Sequence, residues 1–180
     1  MKCPVCDRPG MEWQELEPNL RGLRCPTCGG HWIGAAQYWK WRDQHGASLP
    51  ERTPEHTEAE LPVSENAKAK LCPECQRLLR RFKVGHGTTF VVERCGNCAG
   101  VWLDHNEWEA LRARNLHDDL HFIFSEAWQA AVAREQREQG REKLLAEKLG
   151  AADLKELKRI KAWLDAHPHR SELYAMLLHD

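Results

Sequence analysis

No run of apolar residues in this chain extends beyond a few positions, far short of the roughly 20 that a membrane-spanning helix needs. The N-terminal stretch MKCPVCDRPG has no apolar region ahead of a small-residue cleavage site, so no secretory signal is expected and the expected compartment is the cytoplasm. Neither sign of charge prevails. With 26 Lys and Arg against 27 Asp and Glu the formal net charge is −1, and any attraction to nucleic acid or anionic lipid must come from a local patch. The ten histidines form no H-E-x-x-H or comparable set. His167 and His169 in AHPHR, and His31 and His105, read as exposed or hydrogen-bonding residues. No serine, cysteine or carboxylate constellation suggests a nucleophile, so the expectation is a protein that is not an enzyme and takes no small-molecule substrate. Hydrophobic residues at 42% and charged residues at 29% are ordinary soluble composition.

No cysteine stands alone either. The eight fall into four C-x-x-C pairs, Cys3 and Cys6, Cys25 and Cys28, Cys72 and Cys75, Cys95 and Cys98. The intervals from Cys6 to Cys25 and from Cys75 to Cys95 match the spacing of a four-thiolate zinc site, and a reducing compartment favours metal over disulfides. Two residues between cysteines let a tight turn aim both sulfurs at one ion, and the longer gap admits a two-stranded excursion that brings a second turn opposite the first. Gly29, Gly30 and Gly100 follow the second knuckles, where a positive φ is tolerated. Cys3, Cys6, Cys25 and Cys28 are expected to hold one Zn2+ ion, and Cys72, Cys75, Cys95 and Cys98 a second. An iron centre would use the same ligands. A closed four-sulfur site offers no open position for catalysis. Oxidative zinc release ranks behind the binding readings, because no unliganded resolving cysteine exists.

The chain repeats itself. Gly30, Trp32, Ile33, Gln37 and Tyr38 map onto Gly100, Trp102, Leu103, Glu107 and Trp108 at an offset of 70. In the second copy RLLRRFKV and TTFVVER flank Gly-His-Gly at 85–87, which predicts a hairpin between knuckles. Asp104 and Glu107 have the D-x-x-E spacing of a helix cap. The pattern CPEC, CGNC, AGVWLD and EWEAL, from Leu71 to about Leu111, resembles the bacterial zinc-ribbon family named for its likeness to the ribbon of transcription factor IIB. The first copy keeps CPVC, CPTCGG and Trp32, with HWIGAAQYWKW in place of the acidic helix start. What the resemblance implies is a structural zinc site in each copy.

The expected fold is therefore a small, metal-stabilised α+β protein. Zinc ribbon 1 is placed at 1–47, a flexible linker at 48–70, zinc ribbon 2 at 71–116 and a helical C-terminal region at 117–180. The linker has three prolines and no sustained periodicity, so the ribbons are expected to move and to bind metal independently. Leu120, Phe124, Ala127, Trp128 and Ala131 form one helical stripe, and Leu154, Leu157, Ile160 and Leu164 another. Gly140 and Gly150 are the expected interruptions, Asp153 a cap, and Pro168 a stop.

Two binding functions follow. As an adaptor, the protein would bind a protein partner, or a second copy, through its C-terminal helices and rigid aromatic surface. Eight tryptophans in 180 residues are generous, and Trp39 and Trp41 are the candidate contacts, one expected in the core and one exposed. Alternatively Arg77, Arg80, Arg81, Lys83 and Arg94 would contact phosphates from the hairpin of ribbon 2, with Phe82 or Phe90 stacking on a base. Residues 71–116 carry seven basic against five acidic side chains, and strand alternation separates Arg80 from Arg81 and Lys83.

Overall fold

The structure is a computed structural model and describes residues 1–49, 63, 68–85 and 87–178. In the first repeat β1 (Glu12–Glu17) and β2 (Leu20–Arg24) form a hairpin, followed by β3 (His31–Ile33) and α1 (Ala35–His45). The second repeat supplies β4 (Leu79–Lys83), β5 (Val91–Cys95), β6 (Val101–Leu103) and α2 (Glu107–Ala113). Both expected hairpin strands are present, and of the Gly-His-Gly expected to turn between them His86 lies outside the described residues.

The ribbons do not stand apart. All six strands make one antiparallel sheet in the order β1-β2-β3-β6-β5-β4. At its centre Trp32 opposes Trp102, His31 opposes Leu103 and Ile33 opposes Val101. This corrects the expectation of independent ribbons: a linker limits how far two modules can separate, and says nothing about the surfaces they share. Most of 48–70 lies outside the described residues. Leu49 and Val63 pack against the main core, and Lys70 is buried.

Alternation along the central strands divides the buried residues between two faces. Ile33, Val101 and Leu103 face one side, where they pack with Tyr38 and Trp41 of α1 and with Trp108 and Leu111 of α2. Trp32 and Trp102 face the other, packed with Leu23, Leu79 and the cysteines of both repeats. Each indole crosses to the opposite ribbon. A Cβ on Gly30 would overlap the ring of Trp102, and one on Gly100 the ring of Trp32. These two glycines are therefore present for closeness of approach, not for the left-handed backbone that the sequence led us to expect, since only Gly29 among the three has a positive φ.

The helices after residue 117 also differ from the expected separate region. The described chain divides into two compact units, Met1–Val132 and Ala133–Asp180. Leu120 and Ile123 of α3 (Leu120–Ile123), with Trp128 and Val132 of α4 (Glu126–Leu149), enter the core beneath the sheet. Trp128 donates its indole N–H to the Val84 carbonyl, at 2.9 Å, while Gln129 bonds both the N–H and the carbonyl of Lys83. The stripe was readable, but its destination was not. Helix α4 runs straight through Gly140, whose missing Cβ would meet nothing, and stops before Gly150 at φ 84°. In the second unit α5 (Ala151–Ala166) starts after Gly150 without a side-chain cap from Asp153. It ends where His167 adopts the extended backbone favoured before proline, and α6 (Arg170–Leu178) follows.

Candidate metal centres

Four tight turns of one design carry the cysteines. In each, the N–H of the residue four places after the first cysteine donates to that cysteine's carbonyl: Asp7 to Cys3, Gly29 to Cys25, Gln76 to Cys72 and Ala99 to Cys95, at 2.9–3.1 Å. All four donors sit at positive φ, and glycine occupies only one of them. The turn's hydrogen bonds and the convergence of its sulfurs hold the other three against their steric preference.

The turns face each other in pairs. Cys3, Cys6, Cys25 and Cys28 bring their four Sγ atoms within 4.8 Å of one another, and so do Cys72, Cys75, Cys95 and Cys98. Individual separations are 3.6 Å for Cys3 to Cys28, 3.5 Å for Cys72 to Cys98 and 3.4 Å for Cys75 to Cys95. A tetrahedral ion with Zn–S bonds of about 2.3 Å sets sulfurs roughly 3.8 Å apart, so the donors need only a small expansion to accept one. Backbone N–H groups of Val5 and Cys6 approach the Cys3 sulfur at 3.4 Å, and that of Asn97 approaches Cys95 at 3.4 Å. Burial opposes the thiolate at Cys25 and Cys95, yet backbone amides and neighbouring cysteines outweigh it and bring both thiols down to about 7. Four soft sulfur donors in a partly buried, preformed tetrahedron are consistent with zinc.

Behind the second centre lies an ionic cluster that nothing in the sequence pattern announced. The Lys70 ammonium, 3% exposed, donates to Glu93 Oε1 at 2.6 Å and to Asp104 Oδ2 at 2.7 Å. Asp104 Oδ1 accepts the Trp102 indole N–H at 2.7 Å. Trp32 has no such carboxylate in its own repeat, where Gly34 stands for Asp104, and it donates instead to Glu74 in the second repeat at 3.0 Å. Of the expected helix cap, the Glu107 half is present: Glu107 Oε2 accepts the Asp104 N–H at 2.7 Å, while the Asp104 carboxylate bonds Lys70 and Trp102, and Asn106 precedes the helix at φ 68°.

Glu107 is fully buried, and its Oε1 has no hydrogen-bond partner among the described residues. Burial, with Asp104 and Glu93 adding negative charge, pushes its carboxyl up to about 9 from an ordinary value of 4.5. The folded protein therefore holds a proton that the unfolded chain releases, and the stability it carries declines as pH rises from about 4.5 towards 9. The first repeat has Gln37 at the matching position. Glu107→Gln is expected to stabilise the protein by about 1–3 kcal/mol at pH 8 and to have little effect near pH 5. Thermal melts of the metal-loaded protein at both pH values check this, and equal shifts at the two would contradict it.

Trp41 is buried at 2% exposure against Trp108 and His117, whereas Trp39 is 41% exposed. One core and one exposed tryptophan is the arrangement that the crowded helix predicted. In the hairpin, Arg80 pairs with Arg94 and Arg81 with Glu93 across β4 and β5. Arg80 and Arg94 therefore share a face, while Arg81 and Lys83 lie on the other, Arg81 within 3.7 Å of Glu93. Arg77 precedes the strand, exposed. The five cations do not form one patch.

A family model described as transcription factor zinc-finger matches residues 71–114, the second repeat. No curated protein and no solved structure matches the chain. The first repeat shares the knuckle geometry of the matched segment and forms a second four-cysteine centre.

Proposed function

We propose that the protein is a non-enzymatic interaction module in which two zinc ions, one per ribbon, stabilise a rigid body, and the helical unit binds a protein partner. Each ion would be enclosed by four sulfurs, with no position left for water or substrate. Elemental analysis of the purified chain should return two zinc ions and no iron.

The observation that carries the partner reading is the unfinished core of Ala133–Asp180. Its described residues bury only Leu154 and Leu164, while Leu144, Leu157, Ile160, Trp163, Met176 and Leu177 are exposed by 39–79%. The Lys158–Glu142 ion pair joins α4 to α5 within this unit, beside a groove of about 520 Å³ whose walls include Leu145, Leu154 and Leu157. So many exposed apolar side chains in a unit with only two buried ones support an interaction surface there, and a second copy of the chain is the first partner to test. Sedimentation velocity over a concentration series is expected to show self-association that Ile160→Asp abolishes without changing metal content. A monomer at every concentration would remove self-pairing and leave a different protein as the partner. No helix among the described residues is long and apolar enough to cross a membrane.

A further inference from the structure

Where α1, β5, β6 and α3 meet, the first unit has a cleft of about 180 Å³ lined by Tyr38, Trp39, Arg94, Val101, His121 and Phe124, among others. Tyr38 and Val101 are buried and form fixed walls. The Tyr38 hydroxyl accepts the Leu120 N–H at 3.2 Å, tying α1 to α3, and the Gln129 amide donates to the Ile123 carbonyl at 2.8 Å. Trp39 and His121 approach with ring centroids 5.5 Å apart. The site is thus preformed by packing, with its most exposed ring held in place.

Around this cleft cations and rings alternate. The Arg94 guanidinium lies 5.2 Å from the Phe124 centroid, Arg80 lies 5.5 Å from Phe82, and Arg42 lies 5.3 Å from Trp39. Phe82 and Phe124 meet edge to face at 5.0 Å, which makes the first two pairs continuous. The acids whose charge reaches His121 are Asp118 and Asp119 beside the start of α3, with Arg42 opposing them. Burial and Arg42 hold the His121 imidazole below its ordinary value, so it stands as a neutral ring.

We propose that this cleft and its arginine–aromatic border bind an unpaired nucleic-acid strand, one base entering the cleft against Trp39 and the flanking phosphates meeting Arg94 and Arg80. Drug-sized ligands occupy pockets of about 300–1,000 Å³, so this smaller space suits a single planar ring. Alternation of rings with guanidinium groups matches a strand that alternates base and phosphate, and base–aromatic stacking tolerates any sequence. A duplex has its bases stacked and paired, and cannot place one in the cleft without paying to flip it out. The near-neutral net charge is no obstacle, because the interaction is local.

The test uses the full zinc-loaded chain and a fluorescein-labelled oligothymidylate, followed by anisotropy over a salt series, with an oligouridylate of equal length to compare the sugars and a duplex of equal length as competitor. Expected are tighter binding of the single strand than of the duplex and about a ten-fold loss of affinity in Trp39→Ala. Arg94→Gln should lower the slope of log affinity against log salt by about 0.7. Trp13→Ala, which removes an exposed tryptophan from the edge strand β1, should change nothing. Zinc content is measured for each variant, and Arg94→Gln decides the matter if Trp39→Ala loses metal. Equal affinity for the duplex, no binding at low salt, or a metal-loaded Trp39→Ala within about two-fold of the parent would overturn the proposal. Equally tight binding of a polyglutamate peptide would overturn it too, by reducing the border to a site for any acidic chain.

Discussion

Cys98→Ser, which removes one ligand from the second centre, is expected to strip metal from the first centre as well. Metal binding at sites of this kind contributes about 10–16 kcal/mol to folding, as much as the whole stability of an ordinary domain at about 5–15 kcal/mol. The second ribbon therefore has little reason to stay folded without its ion. When it opens, the first loses the strand paired with β3, the Trp102 ring over Gly30 and the Glu74 acceptor of Trp32. It also loses half of the cluster in which Cys3 and Cys25 are buried. Titration of the native protein with a chelator, read by native mass spectrometry, should show the two-metal and metal-free forms with the single-metal form depleted. A persistent single-metal species with unchanged circular dichroism would mean that the centres are independent after all.

Trp102→Ala should cost about 3–5 kcal/mol, the range for deleting a large buried aromatic ring, and Trp32→Ala nearly as much. The two differ in their polar partners. Loss of Trp102 leaves Asp104 Oδ1 without its indole donor beside the buried Lys70, so it should be the more damaging by about 1 kcal/mol. The location of the damage is the sharper expectation. Since the Trp102 ring covers Gly30, Trp102→Ala should expose Cys25 and Cys28 to alkylation at least as much as Cys95 and Cys98. Peptide mapping after brief iodoacetamide treatment reads this directly. Protection retained at the first knuckles would show that the ring packs mainly on its own ribbon.

The cysteine clusters, the repeat and the helical stripes were legible because each depends on residues close in sequence. A C-x-x-C turn is complete within a few positions, and a stripe such as Leu154, Leu157, Ile160 and Leu164 declares its own period. The joint between the ribbons has no such local signature. Strands β3 and β6 are three residues each, too short for alternation to register, and their partners lie seventy residues away. Lys70, Glu93 and Asp104 look like scattered surface charges until the sheet brings them together. The spacing of Asp104 to Glu107 is that of a helix cap, and nothing in it signals that the carboxylate also bonds the buried Lys70 and the Trp102 indole. Gly30 and Gly100 show the same limit: a glycine in a string suggests a turn, and only the fold reveals a tryptophan from the other repeat lying against it.

At the centre of the sheet Trp32 pairs with its own counterpart Trp102, and the flanking pairs His31–Leu103 and Ile33–Val101 exchange under the repeat, which is the geometry of a twofold axis passing between the two tryptophans. Two identical subunits meeting on such an axis must carry every feature twice, because a substitution in one is a substitution in both. Joining the halves in one polypeptide lifts that obligation. Lys70, Glu93, Asp104 and Glu107 stand on one side of the axis; at the offset of 69 that relates Cys3 to Cys72, Met1 corresponds to Lys70, and at the offset of 70 Leu23, Gly34 and Gln37 correspond to the other three. A single buried ammonium serves the junction where a true dimer would have had to desolvate a pair of them.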